Sequence, residues 1–169
     1  MFYLRDLPKY EAICQRCQRY PEVDPASVET SLVLLRVASD MLTALEGYWA
    51  RNNTSQGRFC VLMVLNRDPA TGLAPSDLAR RCGVTRATMT GLLNGLERDG
   101  MITREPDQHD HRMATVKLTE QGSQYLDNIL PDYYRRTAAL MGHLPFEDKR
   151  LLEKLLWQVN DGISSFTTP

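Results

Sequence analysis

The sequence predicts a mainly α protein with a small β-hairpin wing: a winged helix-turn-helix joined to a helical dimerisation lobe. Three observations carry this. Residues 76–98 read as two short helices joined at Gly83, and residues 101–118 read as two strands around the polar tip PDQHDHR. Long helical patterns flank that block on both sides, so the lobe would draw on both ends of the chain. The expected division is 1–54 for the N-terminal part of the lobe, 55–118 for the winged domain and 119–169 for the C-terminal part.

Each element has its own signal. Residues 1–20 alternate apolar and charged groups and read as one short helix, interrupted by Pro21 and Pro25. VDPAS then starts a helix reaching about Arg51, with Leu32, Leu35, Ala38, Leu42, Leu45 and Trp49 recurring at three- and four-residue steps. Leu34, Val37, Met41 and Tyr48 widen that stripe beyond what one neighbour needs, which points to a dimer interface. Thr54 or Ser55 should cap the next helix, GRFCVLMVLNR, nearly all apolar and hence central. RDPATGLAPS is a loop, and the wing strands are expected at Met101–Glu105 and Arg112–Leu118. Thr119 should cap a helix running to about Gly142 and kinked at Pro131. A last helix carries the stripe Leu151, Leu152, Leu155, Leu156, Val159, Ile163 and Phe166.

Composition narrows the class. The chain has 169 residues, of which 43% are hydrophobic, enough for one domain plus a lobe. No apolar run approaches the roughly 18 residues of a membrane span. The N-terminus MFYLRDLPKYEAI carries charges among its apolar residues and no small-residue cleavage pattern. A cytoplasmic protein without a membrane partner is the expectation. The net charge is −1, and within 76–112 the arginines are matched by acidic residues. Affinity for nucleic acid would therefore depend on where cations are placed, doubled by a dimer, rather than on bulk charge. No nucleophile–base pair, phosphate-cradling glycine loop or close carboxylate pair is readable, so neither an enzyme nor a cofactor is expected.

The 76–122 block carries the chemistry. Gly83 permits a tight turn and Thr85 is a good N-cap. In the following helix Met89, Leu92, Leu93 and Leu96 share a face, and Ala87, Thr90, Gly91, Asn94 and Arg98 lie opposite. Small and polar groups suit a helix set in a major groove, whose N-terminal end goes deepest. Thr85, Arg86, Ala87, Thr88 and Thr90 are the candidate contacts; Arg86 suits guanine, and Asn94 adenine or a phosphate. The competing reading is a solvated helix face with capping threonines. Gly91 and Gly95 each cost about 1 kcal/mol relative to alanine inside a helix. Close backbone approach would excuse Gly91, and helix packing Gly95.

On the hairpin, Ile102, Ala114, Val116 and Leu118 form the expected inward face, while Arg104, Thr115 and Lys117 point out. Asp110 can orient Arg112 for a narrow minor groove, and Arg104 and His111 join it as wing contacts. The competing reading is a surface salt bridge of little energetic value.

Cys60 and Cys82 read as small core hydrophobes. Cys14 and Cys17 form a CxxC that fits a redox pair or half a metal site, although no second CxxC exists. A metal sensor using Cys14, Cys17, His109 and His111 would have to join segments expected to be far apart, and no metal site is assigned.

Residues 30–165 resemble the MarR family of bacterial transcription regulators, most densely at LARRCGVTRATMTGLLNGLERDGMITR and DHRMATVKLTEQG. The wing pattern Asp110-His111-Arg112 followed by Leu118-Thr119-Glu120-Gln121-Gly122 is specific after such a helix pair. The resemblance implies an obligate homodimer with interlocked terminal helices, bound to pseudo-palindromic double-stranded operators and usually repressing. It implies that Thr85–Asn94 face the major groove and Arg112 the minor groove. Gly91 departs from the arginine or other polar residue that many members place there. Members commonly release DNA when a small aromatic compound binds between the dimer helices and the winged lobe. Tyr48, Trp49, Arg51, Arg58 and Phe59 lie near such a pocket, though core aromatics and solvated arginines are the plainer reading. Thiol sensing through Cys14 or Cys17 is the alternative mode of control.

Overall fold

The computed structural model describes residues 5–67, 71–106 and 114–166. Four of the helix starts fall where the sequence supplies an oxygen cap. The first helix, α1, spans Tyr10–Cys17, and α2 spans Pro25–Arg51. The Asp24 carboxylate accepts from the Ala26 and Ser27 backbone N–H groups at 3.1 and 3.0 Å, while Pro25 takes the first helical position. Ser55, of the two candidates, caps α3 (Gln56–Leu65) by accepting from the Arg58 N–H. Next come α4 (Pro75–Cys82) and α5 (Arg86–Arg98), then strands β1 (Ile102–Pro106) and β2 (Ala114–Leu118). The last two helices are α6 (Glu120–Leu140), capped by Thr119, and α7 (Phe146–Asp161), which leads into a 3-10 turn. The architecture is mainly α with a two-stranded wing. Helix α6 runs unbroken through Pro131.

The chain divides into two compact units, Met1–Leu118 and Thr119–Pro169. The first unit is built around α3, which buries Phe59, Val61, Leu62, Val64 and Leu65. Helix α4 adds Leu78 and Ala79, α5 adds Met89, Leu93 and Leu96, and the wing adds Ile102 and Val116. Each such Leu, Ile or Val contributes about 1.5–3 kcal/mol relative to exposure, which makes this the stabilising mass of the unit. A Cβ on Gly57 would come 3.1 Å from the Leu92 side chain, so Leu92 of α5 packs tightly on α3 at this glycine.

Two expectations change here. The expected loop RDPATGLAPS (67–76) is not all loop, because Leu73 exchanges both backbone hydrogen bonds with Val116 at 2.9 Å and adds a one-residue third strand to the wing. Gly72 makes this possible: it sits at φ +65°, where a Cβ would meet Thr115 Cγ2, Lys117 Cγ and the Val116 carbonyl at 2.7 Å. Cys60 is exposed rather than a core residue, because the outer side of a ten-residue helix falls on it despite its apolar neighbours. Cys82 is half-buried, and that burial pushes its thiol pKa up.

Large apolar faces stay uncovered within one chain. Along α2, Val33, Leu35, Val37 and Met41 are exposed, while only Tyr48 and Trp49 are buried. In the second unit α6 buries Leu126 and Ile129, whereas α7 buries nothing and exposes Leu151, Leu155, Leu156 and Trp157. Among the described residues no helix is long and apolar enough to cross a membrane.

Gly72→Ala should destabilise the winged unit by about 1–3 kcal/mol, because it combines strained backbone with a three-way clash. Urea denaturation checks this, and an unchanged midpoint would remove the Leu73 bridge from the account.

Candidate nucleic-acid interface

Helix α5, the candidate reading helix, is shaped by its two ends and its inner face. Gly83, at φ +66°, turns the chain out of α4. Thr85 then caps α5, its hydroxyl accepting from the Thr88 N–H at 3.1 Å and lying 2.9 Å from the Thr88 hydroxyl. With Met89, Leu93 and Leu96 buried, Arg86, Ala87, Thr90, Gly91 and Asn94 are left exposed on the other side. The Thr90 hydroxyl donates to the Arg86 carbonyl at 3.0 Å. A Cβ on Gly91 or Gly95 would meet nothing within 4 Å, so packing does not require a glycine at either position.

The far end of α5 is anchored across the fold. Arg58, near the start of α3, hydrogen-bonds the Asp99 carboxylate at the α5 C-cap, and Arg98 also donates to Asp99 at 3.2 Å. Those bonds, from Arg58 first and Arg98 second, hold the Asp99 carboxyl below the usual carboxylate range.

Arg104 corrects an expectation. The register pairs it with Val116 and Ile102 with Leu118, so Arg104 lies on the inward face rather than pointing out. Its side chain reaches α5, donating from Nη2 to Asn94 Oδ1 at 2.7 Å, with Nε 3.3 Å from Glu97 Oε2. A period of two counted from Ile102 would have placed it correctly.

Charge is distributed unevenly over this block. Arg80 pairs with Asp77, Arg98 with Asp99, Arg104 with Glu97 and Lys117 with Glu105. Among the described residues Arg81 and Arg86 make no ion pair and are exposed. A depression of about 380 Å³ between the starts of α4 and α5 is bordered by Pro75, Ser76, Arg86 and Thr90. The wing-tip candidates Asp110, His111 and Arg112, with His109, lie outside the described residues.

The effector candidates split into two groups. Tyr48, Trp49 and Phe59 are buried and pack on one another: Trp49 stacks on Phe59 with centroids 4.2 Å apart, and Tyr48 meets Trp49 edge-on at 4.8 Å. They fill the α2–α3 junction with their own rings. Arg51 is exposed and its guanidinium lies back over Gly47, while Arg58 is committed to Asp99. Cys14 and Cys17 are half-buried on α1, and the Cys14 hydrogen bond raises the Tyr10 pKa. Cys17 borders a cavity of about 560 Å³ together with Leu7, Ile13, Arg16, Val28 and Leu32. Among the described residues no group of three or more metal-ligating side chains forms.

This order of elements, with a free face on the second helix of the turn, defines a winged helix-turn-helix DNA-binding protein. Residues 54–113 match the MarR family. Over 163 residues the chain is 35% identical to the HTH-type transcriptional repressor YetL of Bacillus subtilis, covering 96% of this chain and 98% of that protein. The chain belongs to the MarR family of transcription regulators. Solved structures share the fold. The MepR–DNA complex of S. aureus superposes with a TM-score of 0.69 at 20% identity, covering 79% of this chain and 95% of that one. NadR in complex with 4-hydroxyphenylacetate superposes with a TM-score of 0.61 at 24% identity, covering 76% of this chain and 89% of that one.

The Asp99 ion pairs fix a pH dependence. A carboxyl whose folded pKa is lowered contributes stability above its unfolded value near 4, and that contribution is lost as pH falls through the folded value. The stability gap between the wild type and Asp99→Asn should therefore narrow as pH is lowered from about 6 to about 2. A gap independent of pH in denaturant titrations would remove the ion pairs as its source.

Proposed function

We propose that the protein is a cytoplasmic homodimeric repressor that binds a pseudo-palindromic operator and releases it on binding a small aromatic molecule. The observation that carries the DNA reading is the exposed N-terminal half of α5, with Arg86 unpaired by any described carboxylate and the opposite face locked in the core. Arg86 would read guanine, Ala87 and the Thr90 methyl would pack on thymine methyls, and Thr85 and Thr88 would border the groove. Arg81 and the depression at Pro75–Ser76 would follow the phosphate backbone. Arg112 and His111 would extend the contact from the wing.

The dimer reading rests on the uncovered apolar faces of α2 and α7. Residues 1–54 and 119–169 would form the lobe, leaving 55–118 as the winged domain. Two copies of a charge-balanced head supply the affinity that one lacks. Leu151→Glu with Leu155→Glu should convert a dimer into a monomer in sedimentation and reduce operator binding at least tenfold, about 1.4 kcal/mol. A double variant that stays dimeric would place the interface elsewhere.

Arg86→Ala should relax base preference at one position per half-site, at a cost of about 1–3 kcal/mol. Binding-site selection reads this directly; an unchanged consensus would show that Arg86 is not a base reader.

Ligand control is supported by the NadR complex and by the family resemblance. The stacked rings mean that a ligand near Tyr48, Trp49 and Phe59 would enter beside Arg51 or displace a ring. A melting screen of phenols and aromatic acids, paired with operator release, tests this; a screen with no hit in both would remove ligand control. Thiol control is the second reading, favoured by the Tyr10–Cys14 bond and by the cavity at Cys17. Alkylation of both thiols without change in operator binding would exclude it.

A further inference from the structure

We propose that Arg104 is a positioning residue: it braces the wing strand against α5 and sets the Asn94 side chain to meet DNA as a hydrogen-bond donor. The proposal rests on the DNA-binding reading above. Arg104 lies on the wing face that also carries Ile102 and Val116, and its guanidinium spans to two α5 side chains one turn apart. A guanidinium has donors only, so the Asn94 atom 2.7 Å from Nη2 must be the amide oxygen. That network settles the orientation of the amide, which its shape alone would leave ambiguous.

The consequence is chemical. Asparagine reads adenine with both edges of its amide, accepting from N6–H and donating to N7. In Asn94 the oxygen is engaged by a cation, which polarises the amide, weakens Oδ1 toward a further donor and strengthens the Nδ2–H groups. Asn94 is exposed beside Thr90 and Gly91, so those N–H groups are offered on the reading face. The partner they fit is an acceptor on DNA: a phosphate oxygen, or a base acceptor in the major groove (guanine N7 or O6, adenine N7 or thymine O4). Glu97 completes the device by holding the Arg104 cation on the protein, away from the phosphates. Strand β1 is thereby tied to α5, because Arg104 joins it to both Asn94 and Glu97.

The test is a double-mutant cycle on the full chain, read by fluorescence anisotropy on operator DNA selected from fragments of its own promoter. Arg104→Met and Asn94→Ala should each weaken binding about tenfold, and the double variant should be no weaker than Asn94→Ala. Asn94→Asp keeps the bond to Arg104 but loses the donor, and should bind more weakly than Asn94→Ala. Arg104→Met should leave the salt dependence unchanged, because Arg104 neutralises no phosphate. If Arg104→Met fails to fold, Arg104→Lys should show a smaller loss that likewise vanishes beside Asn94→Ala. A preference lost at one base position in Asn94→Ala assigns the acceptor to a base, and a uniform loss assigns it to a phosphate. Additive losses or a salt slope reduced by about one would overturn the brace. Wild-type protein that binds no DNA would overturn the DNA reading itself.

Discussion

Everything in the winged unit depends on burying one face of α5 while its opposite face stays bare. Met89, Leu93 and Leu96 lock the helix against α3 and α4, and Ile102 and Val116 close the core from the wing. A thirteen-residue helix on its own would be marginal in water. Tertiary packing therefore decides both that α5 exists and which way it faces. The outer residues can be small, polar or even glycine because the inner ones already hold the helix.

Around that core, three polar devices set the helix precisely enough to read a groove. Thr85 fixes its start, Arg58 anchors its end through Asp99, and Arg104 ties its outer flank to the wing. Two of the three consume arginines that bulk charge counting would have assigned to DNA. The near-neutral charge of the head therefore has a structural meaning: among the described residues of 76–118, Arg80, Arg98, Arg104 and Lys117 are engaged in ion pairs within the protein, whereas Arg81 and Arg86 are not. On the proposed reading, specificity would come from shape and a few placed groups, and affinity from repetition in a dimer.

Local rules made much of this legible. The caps Ser55, Thr85 and Thr119, the turn at Gly83 and the leucine face of α5 all follow from chemistry within a few residues of sequence. The failures share the opposite property. The Arg58–Asp99 pair joins residues 41 positions apart, for which no periodic signal exists. The Leu73 bridge is one residue long and leaves no alternation to detect. Cys60 misled because an almost wholly apolar run conceals which side of a short helix is exposed. Arg104 was readable by strand alternation from Ile102, but its charge argued for solvent, and the Asn94–Glu97 pair that welcomes it inward lies on another element.

The most direct test of the account is a hydroxyl-radical footprint of the wild-type protein on its selected operator. Two α5 helices presented by a dimer should protect two dyad-related segments whose centres are one helical turn apart, about 10–10.5 base pairs, or a multiple of that. Protection of a single unbroken segment without dyad symmetry would contradict the claim that this fold reads DNA as a pair of buttressed helices.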